Sequence, residues 1–429
     1  MSLFIIYVIF IVAFFGNLFV DLKIIPPEVT LVTEISVYML FCISLARRGP
    51  KFSLDLVYVY LGFVLVAISS AILNSHLNLN ILVGLRPILR FYVFYLALNN
   101  LGLKENQYKK INILLFAIFI MQLPASAIRF SYLGISERSI GTYAEHGGGL
   151  TPIIPIVAIG YLSGFYIFWK SKLIYILFGI GFVLFGIIGE KRVLFFLYPL
   201  AFMGIYYLGY IRGRKVSPIK VVGTAMIFIA AIVAVQLIMM KNIRTLNPEA
   251  VYGGGSISYG HVLNYAKEYE TSDYYGRPGS GGGRITTTII GMKTVFDAGI
   301  GRIFFGFGPG TVIPSIVTTE RRLDRRLLPF INSYGKSGLA YALVEYGLFG
   351  LILLSAVFLI FMVRSFKWFK LETEPYWKSL SMGTLVFASL HAFIFFTYNR
   401  VPVNDDTIVP VYFYAMSLMN YRIIKIRNE

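Results

Sequence analysis

Ser2-Leu3-Phe4-Ile5-Ile6-Tyr7-Val8-Ile9-Phe10-Ile11-Val12-Ala13-Phe14-Phe15-Gly16-Asn17-Leu18-Phe19-Val20 carries no charge over its whole length. A helix needs about 20 such residues to cross the hydrocarbon core of a bilayer. No basic flank precedes the run and no small-residue cleavage site follows it, so it reads as a retained first helix and not a signal peptide. The pattern then recurs. Twelve runs qualify as spanning helices, at 2–20, 30–46, 54–72, 81–97, 111–128, 149–169, 173–189, 193–210, 220–240, 337–363, 376–396 and 407–421. Two arginines interrupt the fourth, and the seventh and twelfth are short. No internal repeat links the runs, and low complexity is confined to a Gly/Tyr-rich part of the stretch that follows the ninth.

The bulk composition agrees. Of 429 residues, 57% are hydrophobic and 14% charged, and the mean hydropathy is +0.71. A soluble chain of this length cannot cover so much apolar surface, so the fold class is an all-α polytopic membrane protein. The formal net charge of +18 points to cytoplasmic loops and anionic membrane lipids as partners, with no nucleic-acid motif to suggest otherwise. Cys42 is the single cysteine, which excludes disulfides and cysteine-based metal sites. The histidines, His76, His146, His261 and His391, are scattered, and no acidic pair has ligand spacing, so no metal and no cofactor is expected.

Short-loop charges orient the helices. The loops after helices 2, 4, 6, 8 and 10 and the C-terminal tail hold Arg47, Arg48, Lys51, Lys104, Lys109, Lys110, Lys170, Lys172, Arg212, Arg214, Lys215, Arg364, Lys367, Lys370, Arg422, Lys425 and Arg427. The other short loops hold only Lys23, Arg129, Arg138, Lys191, Arg192 and Arg400. The first set is therefore cytoplasmic, and both termini lie inside. The chain divides into helices 1–9 (1–240), a large outer loop with short amphipathic helices (241–336), and helices 10–12 with a cytoplasmic tail (337–429). An outward site has no ATP, so chemistry there needs a substrate that arrives already activated.

Several clusters offer such chemistry. Arg86 and Arg90, four residues apart, share one face of helix 4 in the outer half of the bilayer. Each charge there costs roughly 2.5–3.5 kcal/mol, so the pair implies an anion or a polar cavity; snorkelling, or an acid on a neighbouring helix, is the alternative. Glu190-Lys191-Arg192 forms the turn between helices 7 and 8, an interfacial anchor or a third cationic contact. Arg138-Ser139-Ile140-Gly141-Thr142-Tyr143-Ala144-Glu145-His146-Gly147 brings a carboxylate, an imidazole and glycines into one outer loop, where they position a hydroxyl or simply turn the chain. Arg284 opens a segment with Ile285, Ile289, Met292 and Phe296 at helical spacing, an amphipathic helix for the membrane surface or the bundle, with an anion-favouring N-terminus. Gly306-Phe307-Gly308-Pro309-Gly310 either exposes amides to an oxyanion or is a structural turn; without a lysine it is no nucleotide loop. Arg321, Arg322, Arg325 and Arg326 form a solvated charged helix or grip acidic glycans and headgroups. Tyr252, Tyr259, Tyr265, Tyr269, Tyr274 and Tyr275 supply faces on which sugars stack, and interface belts use tyrosine too.

The order of these pieces resembles the bacterial O-antigen polymerase and O-antigen ligase superfamily along most of the chain. Arg138 with Gly141-Thr142 resembles its R-x-x-G-T segment, and Lys191-Arg192 its arginine-containing turn before helix 8. Arg284 followed by Gly306-Phe307-Gly308-Pro309-Gly310 resembles its arginine, helix and glycine loop. Asn332-Ser333-Tyr334 with Glu345-Tyr346-Gly347-Leu348-Phe349-Gly350 resembles its approach to helix 10. Ligases of the family carry a histidine where Ile331 stands here, so the departure favours a polymerase and leaves the general base unassigned among Glu145, His146 and His261; Glu345 reads as a cap or a packing residue.

The resemblance implies a GT-C-like architecture with the large loop in the periplasm of the bacterial inner membrane. It implies a metal-independent glycosyltransferase that joins undecaprenyl-diphosphate-linked repeat units, with a chain-length regulator and a flippase as partners. Arg284, Arg192, Glu145, His146 and Asn332 are its expected catalytic residues, and Arg86, Arg90, Lys191, Arg138, Arg321 and Arg325 its expected substrate contacts. A ligase acting on lipid A–core, and a transporter of lipid-linked glycans without chemistry, are the alternatives.

Overall fold

Eleven of the twelve apolar runs coincide with helices in the computed structural model, and the run at 220–240 lies outside the described residues apart from isolated positions. The structure describes residues 1–48, 54–74, 79–134, 136, 139–143, 149–169, 173–189, 193–211, 283–312, 325–333 and 335–429, with isolated positions between 219 and 267. Among these residues there is no β-strand.

Helix α1 (Ser2–Asp21) ends where the apolar run meets Asp21. A proline-led 3₁₀ turn, Pro27–Thr30, leads into α2 (Leu31–Arg48), then α3 (Leu54–Leu73), α4 (Leu79–Leu101), α5 (Glu105–Leu133), α6 (Ile153–Trp169), α7 (Leu173–Ile188) and α8 (Leu194–Ile211). After the hydrophilic stretch come α9 (Arg284–Asp297), α10 (Ile300–Phe305), α11 (Leu328–Asn332), α12 (Gly338–Leu371), α13 (Pro375–Thr397), α14 (Val401–Asn404) and α15 (Ile408–Asn428). Among the described residues, six stretches are long and apolar enough to cross a membrane: Ser2–Asp21, Pro27–Ala46, Leu56–Leu73, Glu105–Leu133, Gly338–Leu371 and Pro375–Thr397. Three apolar helices, Ile153–Trp169, Ile176–Ile188 and Leu197–Ile211, are shorter. The molecule is an all-α, membrane-embedded protein.

Several helices outrun their apolar windows. The fifth begins at Glu105 rather than 111, α12 continues past 363 to Leu371, and α15 continues past 421 to Asn428. Hydropathy marks the part a bilayer covers, whereas the helical hydrogen-bond ladder runs on through charged residues that caps and tertiary partners hold.

The centre of the bundle is α13, with 72% of its most apolar window buried against 24–39% for the other long apolar stretches. It packs most extensively on α6 and α12. Gly160 and Gly164 of α6 face Ser379 and Gly383 of α13, and a Cβ on Gly164 would stand 2.3 Å from the Ser379 carbonyl oxygen. Small residues four apart on both helices let the backbones approach, which is how helices associate when lipid competes for every apolar contact.

Of the two placements open to the apolar stripe of α9, the membrane surface or the bundle, the structure turns it away from the bundle. Ile285, Ile289, Met292 and Phe296 are exposed, while Thr287, Gly291 and Val295 are buried against the protein. A Cβ on Gly291 would already touch Phe330 and Val344. The approach is too close for large side chains, so the small face turns inward and the large one outward.

Candidate functional site

Two residue sets shape the end of the bundle from which α15 starts. The first is a latch. The glycine segment after α10 lies in a seam formed by α3, α4 and α12. Phe307 donates its N–H to the Val344 carbonyl and Gly308 to that of Glu345, each at 2.9 Å. Both carbonyls lie just before Gly347, whose φ of 64° breaks the helical ladder of α12. A Cβ at Gly347 would fall 2.4 Å from the Phe304 backbone, so neither the conformation nor the space admits a side chain. Gly84 of α4 likewise sits with its α-carbon against the Pro309–Gly310 peptide.

The fully buried carboxylate of Glu345 closes the latch. It accepts N–H groups from Gly310 (3.2 Å) and Val312 (2.8 Å) and the Tyr341 hydroxyl (2.8 Å). Ser70 and Asn74 of α3 donate to the Gly306 carbonyl, both at 3.2 Å. The amides of Phe307, Gly308, Gly310 and Val312 are therefore spent inside the fold, and the oxyanion-binding reading of this loop gives way to the structural one. The Glu345 carboxylate is the anion that Gly310 and Val312 bind.

The second set hangs on the segment Tyr398–Thr407, which joins α13 to α15. Arg284, at the first turn of α9, donates Nε to the Tyr398 carbonyl (3.1 Å) and lies 4.2 Å above the Tyr398 ring. Arg400 lies 5.9 Å from the ring of Tyr341. Lys336, just ahead of α12, donates Nζ to the carbonyls of Ile331 (2.8 Å) and Ser333 (2.5 Å). Burial, with Arg400 nearby, lowers its ammonium to about 8. Asn399 reaches the Gly149 carbonyl at 3.4 Å, tying this segment to the stretch just ahead of α6. Among the described residues, no carboxylate lies within ion-pair distance of Lys336 or Arg400. These cations are held by neutral oxygens and rings.

Further along the same segment the pattern reverses. Arg86 pairs with Glu34 of α2 at 2.5 Å. Arg90, 3% exposed, lies 3.7 Å from the same carboxylate and pairs more closely with Asp406. The requirement that something negative stand between two neighbouring guanidiniums is met by Glu34, so the alternative weighed from the sequence, acids on neighbouring helices, describes this pair. Asp405 accepts the N–H groups of Thr407 (2.9 Å) and Ile408 (2.7 Å) and so caps α15. Burial, reinforced by Asp406, raises its carboxyl to about 7.

Of the other expected site residues, Asn332 ends α11 with its side chain exposed, next to Ser333 and near Lys336. Arg325 is exposed in the 3₁₀ turn Arg325–Leu327. Arg138, Glu145, His146, Lys191, Arg192 and Arg321 lie outside the described residues. The loop that carries three of them is anchored between Arg138 and Glu145. Ser126 donates to the Ser139 carbonyl at 2.6 Å, Gln122 accepts the Thr142 N–H at 2.9 Å, and Arg129 donates to the Tyr143 carbonyl at 2.6 Å. The sequence reading passed over Lys336, Tyr398, Asp405 and Asp406 and counted Arg400 only as a loop charge. The signal was Arg400-Val401-Pro402-Val403-Asn404-Asp405-Asp406-Thr407, a charged, proline-bearing break with a capping signature between two apolar helices.

No protein-family model matches this chain, and no curated protein does.

Proposed function

We propose that the protein is a metal-independent glycosyltransferase of the bacterial inner membrane that polymerises polyprenyl-diphosphate-linked oligosaccharide repeat units at its periplasmic face. The observation that carries this reading is the gathering of Lys336 and Arg400 with Arg284 at one mouth of the bundle, held by carbonyls and tyrosine rings. A cationic cluster of that kind suits a diphosphate, which is both activating group and leaving group. As the bond to the sugar breaks, negative charge grows on the leaving oxygen, and fixed guanidiniums near a low-dielectric wall stabilise it without reorganising. Two lipid-bound reactants meeting at one mouth also gain proximity. The charge rule puts this mouth outside, where no nucleotide is available and an activated carrier is required.

The test is purified protein in liposomes with a polyprenyl-diphosphate-linked repeat unit and no other acceptor. A ladder spaced by one repeat unit is the expected result, and Arg284→Ala should lose it while remaining folded in the membrane. Unchanged substrate would overturn the polymerase reading. Adding a lipid A–core acceptor would then separate a ligase, which changes covalent mass, from a transporter, which changes only sidedness.

A further inference from the structure

We infer that Lys336 is the general base of this site: its neutral amine takes the proton of the acceptor hydroxyl as that oxygen attacks the donor sugar. The inference rests on the glycosyl-transfer reading and assigns the one role that reading leaves empty.

The described acids at this mouth are committed elsewhere. Glu345 grips the glycine segment, Asp405 caps α15, Asp406 pairs with Arg90, and Glu34 lies between Arg86 and Arg90. The one described histidine, His391, is fully buried in α13, with Nε2 at 3.2 Å from the Pro402 carbonyl and its ring stacked on Tyr412. Lys336 differs from all of these. Its nitrogen is fixed by two carbonyls, those of Ile331 and Ser333, and it is only partly buried. An ammonium has three N–H donors, whereas a neutral amine has two and a lone pair. Two carbonyls satisfy the neutral amine completely and leave its lone pair directed away from both. Asn332, between those carbonyls in sequence and exposed, offers an amide to orient the incoming hydroxyl.

The surroundings also oppose a charge on Lys336. Arg400 faces it from the segment between α13 and α14, and Arg284 opens α9 with its backbone against Gly335. The 3₁₀ turn ahead of α11 contributes Arg325 and Arg326, α11 contributes no titratable group, and the first turn of α12 contributes only Tyr341. Burial first, and then Arg400, lower the ammonium towards the working range of a general base, and none of the other groups named is an acid that would oppose this.

The step balances. The lone pair of Nζ takes the hydroxyl proton, and the oxygen forms a bond to the anomeric carbon. The bond from that carbon to the diphosphate breaks, its electron pair leaves on the carrier diphosphate, and the ammonium returns its proton to water.

The experiment uses the reconstituted full chain with the same lipid-linked substrate, comparing wild type, Lys336→Arg and Lys336→Ala across pH 6–10. Arginine keeps donors for both carbonyls but holds its proton throughout this range. The wild type should show kcat/KM rising through a limb near pH 8. The kcat limb should lie higher, because a bound diphosphate favours the ammonium. Lys336→Arg should remain monodisperse, retain donor binding, lose about 10²–10⁴-fold in transfer and lose the limb. Lys336→Ala should regain transfer with added methylamine, which carries the test should the arginine variant not fold. Transfer by Lys336→Arg within about tenfold of wild type with the same limb, or full transfer by Lys336→Ala without amine, would overturn the assignment and leave Lys336 a cap on α11. A wild type that transfers nothing would instead overturn the reading beneath it.

Discussion

The two ends of α15 treat charge in opposite ways. At its C-terminal end, Arg422 and Glu372, each 1% exposed, form a two-point pair at 2.9 Å. Glu372 also accepts from Trp368 and from the backbone of Thr373 and Glu374, and Arg422 stacks on Trp377. Glu105 binds Lys425 at 2.6 Å and Lys109 at 2.8 Å, and Arg422 lies 3.7 Å from it. Cation and carboxylate answer each other in this cluster, while Lys378 beside it is held by the Phe369 and Glu372 carbonyls and the Phe369 ring. At the N-terminal end, Arg86 and Arg90 follow the same rule, but Lys336 and Arg400 beside them rest on carbonyls and rings. The first arrangement joins α5, α12, α13 and α15. The second leaves positive potential at a mouth. In the first, the compensating carboxylate for a buried guanidinium belongs to the chain; in the second, Lys336 and Arg400, each only partly buried, rest on neutral oxygens and rings.

That contrast can be broken from either side. The largest effect is expected from Arg422→Met, which leaves Glu372 a buried carboxylate without its guanidinium. A loss of about 3–5 kcal/mol follows from breaking such a pair, read as a fall in melting temperature in detergent. The double variant Arg422→Met with Glu372→Gln should recover much of it, and an unshifted melt in the single variant would remove the structural role of this end. Arg400→Gln should behave in the opposite manner: the melt stays in place while transfer falls about 10²–10³-fold, the usual loss for one fixed donor at a developing anion. A parallel drop in melting temperature would make the mouth a second structural knot.

Glu345→Gln tests the latch beside the mouth. A glutamine carries one accepting oxygen and turns N–H groups towards at least one of the Gly310 and Val312 amides. The expected cost is about 1–3 kcal/mol, visible as faster protease cleavage at residues 306–312. The smallest effect is a pH dependence from Asp405. Its folded carboxyl is raised to about 7 against an ordinary value near 4. Below about 4 both states hold the proton; between about 4 and 7 only the unfolded chain releases it, so its contribution to stability is full at low pH and is lost as pH rises through about 7. Asp405→Asn keeps the capping oxygen, so the melting temperature of the variant should overtake that of the wild type as pH rises, and an unchanged difference across pH 4–8 would place Asp405 in water.

The all-helical membrane class was legible in single segments such as Ser2–Val20 and the runs at 54–72 and 376–396. Hydropathy is a local property, and a bilayer leaves the backbone few alternatives to a helix. The glycine segment 306–310 and the Glu345-Tyr346-Gly347 run were also visible, but as two motifs. That one is the lock of the other depends on a kink at Gly347 and on Gly84 lying so close that a Cβ there would stand 2.4 Å from the Gly310 nitrogen, neither of which any window of sequence contains. The stripe of α9 was read at the correct spacing and assigned to either side. Only the buried Gly291 turns it outward.

The charges show the same division. That Arg86 and Arg90 share a face follows from helical periodicity alone, and so does the requirement for an anion between them. Which anion it is does not follow, because Asp406 lies 316 residues away in the chain from Arg90, and Glu34 on a helix whose place beside α4 was set by packing. Nor does the position of Lys336 against the carbonyls of Ile331 and Ser333, a local contact made only because α11 ends where it does. The sequence by itself determined a helical membrane protein with too many cations. The tertiary structure decided which of those cations are answered within the chain, because compensating a desolvated charge takes a partner within a few ångströms, and that neighbourhood exists only once the helices have packed.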